Sequence, residues 1–318
     1  MDARTLEQAF NAIFHKKENF SDFYSLDLSQ QTEEFLFKDR KIYRTSKKTR
    51  SYLRFIDKVV LRHLSKNVDV VHSYIKEKSV LTAVRAHAGN HAFFLTDIES
   101  FFPNIGEDDV KRILERDQHV IPISDLNKYI SFIAKLTTWS GALPIGFPTS
   151  PQLSNGFLFE FDNALHTICK SRSLIYTRYS DDIIISGDDR ASLIDLKEIV
   201  QETLHQHASN RLFLNPDKTR ITHAGNKVKI LGLVITQKGQ VTVDSKYKRT
   251  LETILHFFIN DSERYDDFLR KNFDGGERSL FGLLHYVKAT DPDYLNKLQR
   301  KYGILALRTL MEDKWRGK

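Results

Sequence analysis

The 318-residue chain has a single cysteine, Cys169, which excludes an internal disulfide and a cysteine-based zinc site. That cysteine lies among Phe157, Phe159, Phe161, Leu165 and Ile168, an apolar helical pattern that reads as a packed core thiol. Seven prolines and 14 glycines are scattered without a repeat or a low-complexity tract. No apolar run reaches the roughly 18 residues of a membrane-spanning helix, and the first residues lack an apolar leader. The expectation is a soluble, cytoplasmic protein with no membrane partner. His87 and His91 have helical i, i+4 spacing, but no acidic third ligand follows them, which argues against zinc.

Acidic residues are in the minority, 41 against 48 Lys and Arg, giving a net charge of +7. The excess is uneven: residues 38–66 hold eleven Lys or Arg against Asp39 and Asp57. Such a stripe suits a polyanionic partner and salt-sensitive binding, the plain alternative being a solvated helix face. At 41% hydrophobic residues the chain can bury a core as one large domain or two smaller ones.

Four Asp-Asp pairs occur, at 108–109, 181–182, 188–189 and 266–267, and such pairs are common in solvated loops. Only Asp181-Asp182 is bracketed by strand-like segments, Ile175-Tyr-Thr-Arg-Tyr179 and Ile183-Ile-Ile185. Two carboxylates at a hairpin tip repel each other unless a cation screens them. Asp97 ends another apolar run, Ala92-Phe-Phe-Leu-Thr-Asp97. If the two strands are sheet neighbours, three carboxylates converge, as a divalent-metal site for phosphoryl or nucleotidyl transfer requires.

Tyr179-Ser-Asp-Asp182 resembles the catalytic hairpin of reverse transcriptases, and other blocks follow that family's order. Asp97-Ile-Glu-Ser-Phe-Phe102 is similar to its first acidic motif, and Leu143-Pro-Ile-Gly-Phe-Pro-Thr-Ser-Pro151 to its template- and nucleotide-positioning motif. Asn215-Pro-Asp-Lys-Thr219 resembles the lysine-bearing motif and Ile230-Leu-Gly-Leu233 the primer grip. The run before Asp181, Phe101-Phe102-Pro103 and Ala86-His-Ala-Gly-Asn90 are similar to the bacterial retron branch and its antiphage relatives. Two retron signatures depart: Ala83 replaces an asparagine, and Ile230-Leu231 replaces Val-Thr.

The resemblance implies an α+β right-hand polymerase: N-terminal segment and fingers over 1–90, palm over 91–243 with fingers elements near 107–150, and thumb over 244–318. It implies RNA-directed DNA synthesis with two Mg²⁺ ions, Mn²⁺ being an alternative, bound by Asp97, the Ile98 carbonyl, Asp181 and Asp182. Lys218 matches a lysine proposed to protonate the departing pyrophosphate, and Phe102 the aromatic gate against ribonucleotides. Lys38 and Arg40 would grip the triphosphate, Gly146 and Pro151 would shape the turn into a helix, and Tyr179 completes the hairpin. Ile145 stands where a glutamine is usual, and Glu99 has no matching role. Implied partners are dNTPs, a structured non-coding RNA with its DNA product, and an effector protein. An RNA-dependent RNA polymerase and an RNA-binding, toxin-restraining module with a vestigial site are the competing readings.

Local patterns add detail. Phe10, Ile13, Phe14 and Phe20 form a packing stripe, 34–38 and 41–44 read as paired strands, and 48–64 as a basic helix. One long helix starts at Ser150, its N-cap, with Pro151 in the first turn. A helix spans about 190–206, and 229–235 pairs with 240–243 around Lys238-Gly239. The resulting β–α–β–β–α–β order predicts a mainly antiparallel sheet with helices on one face.

Overall fold

The computed structural model describes residues 4–37, 40–223, 225 and 227–312. Helices α1 (Leu6–Phe14) and α2 (Phe20–Tyr24) precede the hairpin β1 (Thr32–Phe37) and β2 (Arg40–Thr45) and helix α3 (Lys47–Val59). The aromatic stripe does pack: Phe10 stacks on Phe23 at 5.2 Å and meets Phe14, Phe20, Tyr52 and Phe55. Helix α3 buries Tyr52, Leu53, Phe55 and Ile56, leaving Lys47, Arg50, Arg54 and Lys58 exposed.

Helix α4 (Val80–Ala86) leads into β3 (Ala92–Asp97), then come α5 (Glu107–Asp117), α6 (Ile130–Thr137), α7 (Ser150–Phe157) and α8 (Phe159–Ser171). Strands β4 (Ile175–Tyr179) and β5 (Asp182–Gly187), helix α9 (Leu196–His207) and β6 (Arg220–His223) complete an antiparallel sheet in the order β4-β5-β3-β6. Strands β7 (Lys227–Ile230), β8 (Leu233–Thr236) and β9 (Val241–Val243) form a second sheet. Helices α10 (Ser245–Asn260), α11 (Ser262–Asn272), α12 (Glu277–Thr290), α13 (Pro292–Tyr302) and α14 (Ile304–Met311) end the described chain. No described helix is long and apolar enough to cross a membrane.

Three expectations need correction. The four-stranded sheet is covered on both faces: Phe94, Ile183 and Ile185 pack with α5 to α9, whereas Phe93, Leu95 and Ile184 pack with α4, β7 to β9 and the C-terminal helices. This is why β3 is apolar at nearly every position, since neither face meets water. The helix after Ser150 is two helices meeting at Leu158, and its cap position is Thr149, not Ser150. Ser150 instead donates to the Pro144 carbonyl at 2.7 Å. Arg116 takes the Gly156 carbonyl at 3.0 Å, an acceptor the continuing helix would need, and glycine is itself a poor helix former. Even so, Leu153, Phe157, Phe161 and Leu165 share one buried face across the break. Finally, 229–235 is not one strand. Leu231 and Gly232, at φ 50° and 82°, turn the chain between β7 and β8.

The two histidines at i, i+4 spacing face different surroundings. His91 is exposed, while buried His87 bridges Ser186 Oγ at 2.6 Å and Thr177 Oγ1 at 2.8 Å, tying α4's end to β4 and β5. Burial pulls the His87 imidazole from 6.5 down to about 3, and that of His72 down to about 4. Both lowered values mean that the unfolded chain binds more protons. Their stability contribution is therefore complete above pH 6.5 and is lost as pH falls toward 3. For His87 the slope is about 1.4 kcal/mol per pH unit. The melting temperature should drop steeply from pH 6.5 to 4, and His87→Gln should make that slope shallower by one proton. Equal slopes in the two proteins, from calorimetry across that range, would refute this origin. Cys169 is a core thiol, pushed up by burial to about 12.

Candidate active site

The register of the central sheet brings the acidic residues together. Asp97, the last residue of β3, lies opposite Asp182, the first residue of β5, and Asp182 also pairs with Tyr179 across the hairpin. Ser180 and Asp181 are thus a two-residue turn, entered through Ser180 at φ 59°. The Ile98 N–H donates to the Asp181 carbonyl at 3.1 Å, stitching the acidic strand end to the turn. The Asn215 N–H donates to the Asp97 carbonyl at 2.9 Å, placing the 215–219 block against the same strand end. From there Lys218 reaches Asp97 Oδ2 at 2.6 Å.

Electrostatically the cluster is short of positive charge. Asp97 is buried, and its Oδ1 has no hydrogen-bond partner among the described residues. Burial, then the charges of Asp181 and Asp97, push the Asp182 carboxyl up to about 6, against the opposing effect of Lys218. The hydrogen bond to Asp97 raises the Lys218 ammonium above its ordinary value. A buried acceptor without a donor is costly. Repelling carboxylates beside it are the donor set a hard divalent cation takes, completed by water and substrate phosphates. Among the described residues no group of three or more His, Cys, Asp or Glu side chains is arranged to hold a metal ion. A Mg²⁺ ion on the cleft side would therefore meet few protein ligands, Asp97 and Asp181, and would need water and substrate phosphates to complete its shell, while Lys218 occupies Asp97 Oδ2.

A cleft of about 670 Å³ opens from Asp97, Ile98 and Asp181. Its walls include Glu99, Phe102, Arg40, Tyr43, Ile145 and Lys218. Asp182 faces a smaller hollow with Lys218, Arg220, Lys229 and Leu231, so the two paired aspartates open on different sides. Phe102 is half-buried, its ring 5.6 Å from that of Phe101. Gly146 underlies the wall: its neighbour Ile145 accepts from the Tyr43 N–H at 2.7 Å, docking β2 on the turn before α7. Tyr179 is half-buried and raised above its ordinary value by burial and then by Tyr74. Lys38 falls outside the described residues.

Sequence reasoning missed the support beneath the turn. Arg178 and Asp162 are fully buried and paired at 2.6 Å, and Ser73 and Asn155 lie beside them. The one visible sign was a charged residue inside the strand-like Ile175-Tyr-Thr-Arg-Tyr179. Tyr43 and Trp139, which also line the cleft, gave no sign.

Aspartates brought together at one end of the central sheet, a lysine on Asp97 and a hairpin docked over the cleft define a right-hand polymerase. Residues 37–235, more than half of the chain, match the reverse transcriptase (RNA-dependent DNA polymerase) family, and the chain belongs to that family. It is an RNA-directed DNA polymerase of the retron type. It is similar to the retron Ec86 reverse transcriptase of Escherichia coli, at 26% identity over 271 residues, 83% of this chain and 78% of that one. It is also similar to the retron Ec83 reverse transcriptase of Escherichia coli, at 22% identity, covering 85% of this chain and 89% of that one. Among solved structures it is similar to telomerase from Candida albicans with a fragment of telomeric RNA, at 12% identity and a TM-score of 0.48, over 98% of this chain and 64% of that one.

Proposed function

We propose that the chain copies a structured non-coding RNA into DNA by metal-dependent nucleotidyl transfer, in antiphage defence. The observation that carries the chemistry is the register of Asp97 against Asp182, with Asp181 in the adjoining turn and Asp97 Oδ1 unpaired. Asp97, Asp181, Asp182 and the Ile98 carbonyl would hold two Mg²⁺ ions, which when bound supply charge neutralisation at the primer hydroxyl and the leaving pyrophosphate. Lys218, already an ammonium beside Asp97, is placed to give its proton to the leaving group. Arg40, in the cleft wall, would grip the triphosphate. Residues 1–90 with elements near 107–150 would act as fingers, 91–243 as palm and 244–318 as thumb.

Phe102 would close the sugar pocket, because it lines the cleft that Asp97 and Asp181 open into. Phe102→Ala should raise use of rNTPs relative to dNTPs by roughly 10- to 100-fold. An unchanged ratio in a variant that still polymerises would return Phe102 to core packing.

The dedicated RNA rests on the retron relatives together with the exposed basic residues of α3 and of the C-terminal helices, among them Lys246, Arg249, Lys297, Arg300 and Lys301; Lys248, expected to join them, is half-buried and paired with Asp291. Phosphate contacts would supply affinity and hairpin shape selectivity. Co-expression with the native flanking DNA, followed by sequencing of bound nucleic acid, tests this. One abundant RNA joined to DNA is expected, and a random cellular RNA sample would defeat it.

A further inference from the structure

The turn that carries Asp181 is held from beneath by side chains at every polar atom of Ser180. Its N–H donates to Ser73 Oγ at 2.8 Å, and its carbonyl accepts from Arg178 Nη1 at 2.7 Å. Its hydroxyl accepts from the Tyr74 hydroxyl at 3.5 Å. Arg178 is itself fixed: Nε and Nη2 fork onto both oxygens of Asp162 at 2.8 and 2.6 Å, and Nη1 also reaches Asn155 Oδ1 at 3.2 Å. The Tyr176 hydroxyl donates to Asp162 Oδ1 at 2.7 Å, and Asn155 Nδ2 donates to the Ser73 carbonyl at 3.0 Å. Arg178, Asp162, Ser73 and Asn155 are all fully buried. The segment before Ser73 runs beside β4, with the Arg178 N–H on the Val70 carbonyl and the His72 N–H on the Arg178 carbonyl.

Stability does not account for such a network. A buried ion pair pays desolvation that its attraction seldom exceeds, and apolar replacements of similar volume are often neutral or stabilising. Position does account for it. Ser180 is a non-glycine residue at φ 59°, a conformation that persists only when its surroundings over-determine it. A guanidinium locked by a two-point fork is a rigid donor, and here its remaining nitrogen is aimed at the turn.

We infer that Arg178 and Ser73 are positioning residues, which clamp the Ser180 peptide from both ends and so set where the Asp181 carboxylate meets the metal ion. The clamp rests on the reading of Asp181 as a metal ligand. It acts as an outer shell, and loss of such partners typically costs about 10- to 100-fold in metal affinity or activity.

The test uses the full chain with a template–primer. One variant, Arg178→Met with Asp162→Leu and Tyr176→Phe, removes the charges and the tyrosine hydroxyl together. A second, Ser73→Ala, removes only the acceptor on the other side. Mn²⁺ binding is read by electron paramagnetic resonance, and amide exchange is read across 176–184 by mass spectrometry. Both variants should show faster exchange at Ser180 and Asp181, a Mn²⁺ midpoint raised roughly 10-fold or more and a lower kcat, with little change in the KM for dNTP. Wild-type midpoints and exchange in a folded variant would overturn the clamp. If the triple variant fails to fold, Ser73→Ala decides by the same readouts. Asp181→Ala is run alongside. If it binds Mn²⁺ and polymerises normally, the metal reading fails; if it is inactive while the clamp variants behave as wild type, only the clamp fails.

Discussion

Asp97→Ala and Asp181→Ala should each lower DNA synthesis on an RNA template by roughly 10³-fold or more, equivalent to about 4 kcal/mol of transition-state stabilisation. Each removes a carboxylate from the one place where β3 and the turn between β4 and β5 meet. Neither should unfold the protein. Asp97 contributes an unpaired Oδ1 and a repulsion felt by Asp182, so its removal relieves strain as well as deleting the ion pair to Lys218. Melting temperatures should therefore stay close to wild type while primer extension disappears. Robust extension by either variant would remove that residue from the chemistry.

A second large effect is expected at Gly146, which is not itself among the residues lining the cleft. Its φ of 111° is a conformation that side chains rarely adopt, and an added Cβ would stand 2.3 Å from the Tyr43 carbonyl and 3.2 Å from Ile42 Cγ2. Gly146→Ala must therefore shift either the turn or β2, breaking the bond from the Tyr43 N–H to the Ile145 carbonyl. Arg40, Lys41 and Tyr43 line the cleft from that strand and would move with it. A displacement near 1 Å in a positioning element can cost about 100-fold, and a loss of that size is expected here, chiefly as a higher KM for dNTP. The cost to stability should be small, because β1 and β2 are largely exposed. Wild-type kinetics would show that the hairpin's attachment does not set the nucleotide site.

The reach of the sequence follows from how local each feature is. The Asp181-Asp182 turn and the Asp97 strand end were legible because a charged pair between β-branched runs has few structural uses. The cover on the sheet's second face was misjudged, although the unbroken apolar run of 92–95 already favoured burial on both sides. The split at Leu231 was hidden because a leucine in left-handed conformation looks like strand interior. The helix break at Leu158 falls beside Gly156, whose carbonyl accepts from Arg116, 40 residues away in the chain. Strand β6, Arg-Ile-Thr-His, is too short and polar to stand out, yet it sets Lys218 beside Asp97. The support under Ser180 joins residues 73, 155, 162 and 178, and no local pattern links them.

The most direct measurement is anomalous scattering from Mn²⁺ in crystals of the chain with RNA template, DNA primer and a non-hydrolysable dNTP analogue. Two peaks roughly 3.5–4 Å apart are expected, bridged by the Asp97 and Asp181 carboxylates, with Lys218 released from Asp97 toward the phosphates. A fully bound template–primer and nucleotide with no peak at Asp97 and Asp181, or with peaks held elsewhere in the chain, would contradict a metal-dependent site built on these aspartates.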